Sequence, residues 1–341
     1  MKQRTLGCLT AIVLLALLVS VSVNLLLLAG GAGAAMASSA AKKRPLSEVV
    51  ESEGGADRIV EINLEGMITS MRIEGIFSSG LSTVESLKTQ LEQAAGDERV
   101  KAVVLRINSP GGEVTASDTL FHAVKTVAAA KPVVVFMDAM AASGGYYTAC
   151  GATKIVASET TLTGSIGVII DALNYSGLFE KVGLKSNTFV SGAFKDSLNG
   201  ARPMRAEEEA YIQSLVTGMY ERFLKVVADG RGIATDVLRN GVADGRVLSG
   251  KEALDAGLVD QLGYIEDARR LAAELAGVKD PTLVRYRRET GFFDILGGVS
   301  APFAGRGDSG RTVRLELAPG AYPALTPGLP YYLAPLSVPA R

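Results

Sequence analysis

Histidine is almost missing from this chain: His122 is the one imidazole in 341 residues. Cysteine is nearly as scarce. Cys8 and Cys150 are the whole set, too few for a disulfide framework, and Cys8 sits at the edge of an apolar N-terminal run where it would rarely meet its partner. Neither belongs to a CxxC or a Cys/His cluster, so the sequence offers no metal site, and no cofactor is expected. An excess of charge is missing too, with 35 basic against 36 acidic side chains. That balance gives no electrostatic reason to expect a nucleic-acid partner. The local run Lys42–Lys43–Arg44 is too short to change this. Internal repeats are also missing.

Apolar residues, by contrast, are plentiful enough for a large core. The stretch from Cys8 to Ala29 is broken only by Thr10, Ser20, Ser22 and Asn24. At ~1.5 Å per residue it is long enough for the ~30 Å hydrocarbon layer, and longer than the apolar part of most secretory signals. We therefore expect a transmembrane helix at 8–29 after a cytoplasmic N-terminus at 1–7. A cleaved signal peptide, ending near Ala35-Met36-Ala37, is the alternative. Lys2 and Arg4 lie closer to the apolar run than Lys42–Arg44, which favours a body outside the cytoplasm of a single-pass membrane protein. A cytoplasmic body is the other possibility.

Residues 30–57 are rich in Gly, Ala and Ser, then charged, and read as a tether. A globular domain is expected over 58–280, and a Pro/Gly/Ala-rich tail over 281–341, with contact between subunits as the tail's alternative role. Within the domain, strands are predicted at 58–65, 100–107, 133–137 and 153–157. Helices are predicted at 82–95 and 115–130, from near Ser143, and at 206–228, 251–256 and 265–276. Strands alternating with helices predict an α/β body of βαβ units.

Two stretches could carry chemistry. Asn108-Ser-Pro-Gly-Gly112 ends an apolar strand and precedes a helix, a turn able to aim bare backbone amides at an anion or a developing oxyanion. Plain turn chemistry explains it equally well. Met140-Ala-Ala-Ser143-Gly-Gly-Tyr-Tyr147 is the sharper signal. Small neighbours let the chain turn tightly around Ser143, and the residue after it can donate its N–H to an oxyanion. The pattern is close to a G-x-S-x-G elbow with Ala141 in place of the first glycine. The competing reading is a serine that merely caps a helix. A serine nucleophile needs a base. His122, on a predicted helix one turn after Asp118, reads better as an ordinary surface histidine, which leaves lysine as the candidate type.

These stretches, with T-G-S-I-G-V at 163–168, S-G-A-F-K-D at 191–196 and the run from Gly245 to Asp260, resemble signal peptide peptidase A in its short bacterial form, peptidase family S49. The resemblance spans about Arg58 to Gly277. It implies a ClpP/crotonase-like fold, a Ser–Lys dyad with Ser143 as nucleophile and Lys195 as general base, and Ser165 orienting the lysine. It also implies oxyanion donors at Gly112 and Gly144, with Gly111 as a further candidate. Cleaved signal peptides and other unfolded polypeptides would be the substrates, and a homo-oligomer the assembly. Phe194 stands where the family often has Tyr, and 197–201 depart from its usual pattern.

Such a base must be uncharged. A lysine with an ordinary pKa of ~10.4 would have to lose ~4 kcal/mol of charge stabilisation to work near neutrality. Asp196 would oppose that if it touched Lys195. We expect the pair on a strand, where neighbouring side chains face opposite ways. Gly245–Lys251 imitates a phosphate loop, but Glu252 stands where the magnesium-binding Ser/Thr belongs, and Ser249 with Glu252 reads as a capping box. Two rival functions stay in view: a crotonase-type acyl-CoA enzyme using the same oxyanion turn, and a non-catalytic membrane scaffold.

Overall fold

The computed structural model describes residues 17–18, 20–22, 45–71, 81–288 and 329–334. The chain divides into two units, one of 48–287 with 315–341, the other of 1–47 with 288–314. The expected membrane helix falls in the second. Residues 17–18 and 20–22 are helical, while the rest of 8–29 lies outside the described residues. No helix among the described residues is long and apolar enough to cross a membrane.

The first unit is built on a parallel sheet. Its strands are β1 (Ser47–Ser52), β2 (Arg58–Glu65), β3 (Val100–Ser109), β5 (Val133–Ala142), β6 (Lys154–Ala157), β10 (Gln261–Leu262) and β11 (Thr282–Arg287). They lie in the order β1-β11-β2-β3-β5-β6-β10. The pairs β11–β2, β2–β3, β3–β5, β5–β6 and β6–β10 are all parallel. A branch at the end of β5 adds β7 (Leu162–Gly164), parallel to β5, and β9 (Val247–Ser249), antiparallel to β7.

The near-continuous apolar runs of β3 and β5 reflect burial on both faces. Val103, Leu105, Ile107, Val133, Val135 and Met137 point into the main core. Their alternates Ala102, Val104, Val134 and Phe136 pack on the other face against Ala268 and Ala272. The main-face helices are α1 (Thr83–Gly96) and α2 (Val114–Ala128), which bury Leu87, Leu91, Leu120 and Val124. Ser82 opens α1 with a full capping box. The long α5 (Ala206–Arg231) buries its C-terminal part through Phe223, Leu224, Val226 and Val227. The opposite face is covered by α8 (Ile265–Ala276), over the residues predicted. Shorter helices are α3 (Gly144–Ala149), α4 (Ser176–Lys181), α6 (Thr235–Asn240) and α7 (Gly250–Asp255). The Ser249/Glu252 capping box opens α7 as expected, so the phosphate-loop imitation is a helix start. The α/β architecture of βαβ units therefore holds.

A second, small sheet goes beyond what the residue pattern predicts. β4 (Gly111–Glu113), β8 (Ile169–Ile170) and β12 (Pro330–Leu333) form an antiparallel set with β12 in the middle. Both β11 and β12 fall in the range that reads as a tail, and β1 falls in the range that reads as a tether.

Candidate active site

Ser143 stands at the end of β5, and its backbone is strained. It has φ 52° and ψ −113°, a positive-φ conformation uncommon for a residue with a side chain. Two bonds enforce it: the Ser143 amide donates to the Gly164 carbonyl at 2.8 Å, and its carbonyl accepts from the Tyr147 amide at 2.8 Å. The side chain makes no capping hydrogen bond to α3, so the helix-cap reading is set aside. Oγ is buried and has no hydrogen-bond partner. A buried hydroxyl without a partner is costly, and such groups are commonest where chemistry demands them.

The ring of small residues has a geometric cause. A Cβ at Gly144 would lie 2.4 Å from Ser117 Oγ and 3.1 Å from the Gly112 amide nitrogen. A Cβ at Gly112 would lie 2.0 Å from the Ile68 carbonyl oxygen. Gly111, at φ 105°, would put one 2.7 Å from the Gly144 nitrogen and 2.0 Å from the Tyr332 carbonyl oxygen. The two predicted glycine stretches are thus brought into contact beside Ser143. Gly111's own amide donates to Ser109 Oγ at 3.1 Å.

Ser165 is brought there as well. β7 pairs with β5 in the register Ala142↔Gly164, which sets Ser165 beside Ser143 at the ends of adjacent strands. Ser165 is buried with φ 50°, and its amide donates to the Arg246 carbonyl at 2.8 Å.

Lys195 lies in a different setting from the one expected. It lies in a succession of turns, not on a strand: its amide donates to the Gly192 carbonyl at 3.0 Å, and the Asn199 amide to the Asp196 carbonyl at 3.1 Å. Its side chain is exposed. The ring of Phe194, next to Lys195, packs on Tyr211 at 5.3 Å, whereas Tyr147, one helical turn from Ser143, packs on Phe223 at 5.0 Å. Tyr211 and Phe223 are twelve residues apart on one helix, a rise of roughly 18 Å. Within one chain, no hydrogen bond joins Ser143 Oγ to Lys195.

Alternative catalytic groups are otherwise engaged. His122 is exposed on α2, and Asp118 accepts hydrogen bonds from the Tyr147 hydroxyl and from Arg222. Burial pushes the Cys150 thiol up to about 12, which leaves it an inert core side chain. No cluster of three or more His, Cys, Asp or Glu suited to a metal occurs among the described residues.

The part of the site that sequence reasoning missed is β12. Its pairing with β4 sets Tyr332 opposite Gly112, and the Ala334 amide donates to the Pro110 carbonyl at 2.9 Å. Bonded pairs alternate along an antiparallel ladder, so Gly112–Tyr332 is also a bonded pair. The Tyr332 carbonyl accordingly meets the Gly112 amide close to the Gly144 nitrogen. Its ring lies in an aromatic pocket, 4.9 Å from Tyr147 and 4.6 Å from Phe223, and its hydroxyl donates to the Met219 carbonyl at 3.1 Å. One signal was available: Tyr331-Tyr332-Leu333 is an apolar run between Pro330 and Pro335 in a tail otherwise poor in aromatic pairs.

A strained serine on a strand-to-helix turn, facing glycine amides, defines a serine hydrolase that forms an oxyanion. Comparison with known proteins narrows the class. The Peptidase family S49 model matches residues 125–279, and the Clp protease model matches 78–162. A provisionally named signal peptide peptidase SppA of Enterococcus faecium is 39% identical over 71% of this chain and 71% of its own. The chloroplastic serine protease SPPA of Arabidopsis thaliana is 36% identical over 74% of this chain and 38% of its own. Among solved structures, a ClpP1 mutant from Listeria monocytogenes is covered over 93% of its own chain and 61% of this one, at 18% identity and a TM-score of 0.41. The chain belongs to peptidase family S49 and is a serine peptidase. The acyl-CoA and scaffold alternatives fall with that membership.

Proposed function

We propose that the protein is a membrane-anchored endopeptidase that cleaves signal peptides and other unfolded polypeptides, and that its Ser–Lys dyad closes between neighbouring copies of the chain. The observation that carries the reading is the pairing of opposites: a buried Ser143 Oγ with no hydrogen-bond partner in its own chain, and a Lys195 exposed on a turn before α5. A homo-oligomer supplies each serine with a neighbour's lysine. The seating of β12 across Gly111 and Gly112 supports a peptide substrate, because an extended backbone already fits the cradle by main-chain pairing. A substrate strand takes the place of β12 when it binds.

The chemistry is acyl transfer. Neutral Lys195 of one chain takes the Ser143 proton of its neighbour, and Oγ attacks the peptide carbonyl. The amides of Gly112 and Gly144 hold the oxyanion, the resulting ammonium protonates the leaving amine, and water then hydrolyses the acyl-enzyme. Ser165, at the rim of the serine, orients the incoming lysine. Assembly withdraws the lysine from water, which favours the uncharged amine. The apolar segment at 8–29 anchors the chain in the bacterial cell membrane, with the catalytic domain outside the cytoplasm.

The test is complementation. Ser143→Ala and Lys195→Ala chains, each inactive alone toward a synthetic signal peptide, are dissociated, mixed one to one and reassembled. Random pairing across a heterologous interface restores about a quarter of the sites. A dyad confined to one chain restores none, and full activity of Lys195→Ala alone refutes the dyad.

A further inference from the structure

The turn that carries Lys195 is held by a compact cluster of charges. Arg202 lies between two carboxylates: its Nε and Nη2 donate to Asp196 at 2.8 Å each, and its Nη1 and Nη2 donate to Glu208 at 2.8 and 2.6 Å. Its Nη2 also reaches the Asp196 carbonyl at 3.3 Å. Glu208, in the first turn of α5, is fully buried, although carboxylates are seldom buried unless paired. It accepts two further bonds from Arg205, from the side chain at 2.7 Å and from the backbone at 3.0 Å. Arg205 Nη2 in turn donates to the Ala193 carbonyl, two residues before Lys195. Two guanidiniums thus neutralise two carboxylates and pin the chain on both sides of Lys195.

We propose that Arg202 is a positioning residue for Lys195: its guanidinium, clamped between Asp196 and Glu208, fixes the turn that presents the lysine and keeps the Asp196 carboxylate from holding that amine in its charged form. This rests on the Ser–Lys reading above. The reason is electrostatic. A carboxylate beside an amine favours the ammonium, and a lysine base must lose its proton to work. The sequence suggests that strand geometry keeps Asp196 away from Lys195. The turn provides no such alternation, so the separation falls to Arg202. The Arg202 hydrogen bonds hold the Asp196 carboxyl below its ordinary range, and hold that of Glu208 down at about 2. The cluster therefore keeps its charges through the working pH range. The other charged or titratable groups packed around the turn are Arg205 and Glu207 at the start of α5, Tyr211 under Phe194, and Tyr175 against Gly200. None of these is placed between Arg202 and Asp196.

The test is the pH profile of kcat/KM for a synthetic signal peptide, read on the full-length assembled protein. Arg202→Met frees Asp196, and the acid limb moves up by about one pH unit. Adding Asp196→Asn to that variant brings the limb back. Arg202→Lys, which keeps the charge but not the fork, gives an intermediate shift. A uniform loss at every pH, with the limb unmoved and the melting temperature lowered, overturns the proposal in favour of a purely structural clamp. If Arg202→Met does not fold, Asp196→Asn alone decides. With its charge already engaged by Arg202, removing Asp196 leaves the limb within about 0.3 pH unit, whereas a downward move of about one unit means that Asp196 acts on Lys195 directly and the proposal fails. Lys195→Ala, run alongside, separates this from the parent reading: activity in that variant refutes the dyad, whatever Arg202 does.

Discussion

The two halves of the proposed dyad are built in opposite ways. Ser143 is fully buried at the end of the central β5, and its surroundings are fixed by sheet register and by glycine-to-backbone contact. Lys195 belongs to the segment 171–205, which leaves large apolar side chains in water. Leu173, Leu178, Leu184 and Val190 are exposed, and Phe189 is 96% exposed. One half is finished by its own core. The other presents the kind of apolar surface that monomers rarely expose without a partner. The contrast teaches that one half of a proposed site can be preorganised by its own core while the other half is exposed on a turn, which is the arrangement a dyad completed by assembly requires.

Breaking the finished half has the largest effect. Ser143→Ala lowers turnover of a synthetic signal peptide on the order of 10⁴-fold or more, with the melting temperature unchanged, since nothing in the chain depends on Oγ. Gly112→Ala comes next. The added Cβ meets the Ile68 carbonyl oxygen at 2.0 Å, so the oxyanion strand must shift, and turnover falls by about 10²- to 10³-fold, as for a lost oxyanion donor. Its melting temperature falls as well, which thermal unfolding will record.

Breaking the unfinished half leaves the chain folded. Phe189→Glu costs almost nothing in chain stability, because the side chain is solvated, but it lowers the assembled mass seen by light scattering in detergent, and activity falls with it roughly tenfold. Full assembly and activity in this variant would remove Phe189 from the interface. The smallest effect is expected at β12, which lies between β4 and β8. Tyr332→Asp puts a charge among Tyr147 and Phe223, loosens the strand from the Gly112 amide, and raises the initial rate on short peptides by roughly two- to threefold. A rate that falls instead would make β12 part of the working site and not its occupant.

Much of this is legible in the sequence, for local reasons. The apolar periodicity of β2 and β3 and the span of α8 follow from residue pattern, as does the Ser249/Glu252 cap. The small residues around Ser143 and the Pro-Gly-Gly turn mark where a backbone must come close. The residue pattern ends β5 too early, at Met137, because Asp138 breaks its apolar run, yet its pairing with β7 carries the strand to Ala142. That extension is what places Ser143 at the strand's end. The turn around Lys195 is illegible because no local pattern announces a buried Glu208 reaching back through Arg202. β12 escapes notice because a four-residue strand in a proline-rich tail has no periodicity to detect.

By itself the sequence determined the class of fold and the small residues around Ser143, since these depend on propensity, spacing and the absence of side chains. Only the tertiary structure decided which strand ends meet, that a distant segment lies across the glycine turn, and that Ser143 Oγ is buried without a partner while Lys195 is exposed on a turn. Those are matters of long-range register and packing, set by contacts between residues far apart in the chain, and no local window of residues contains them.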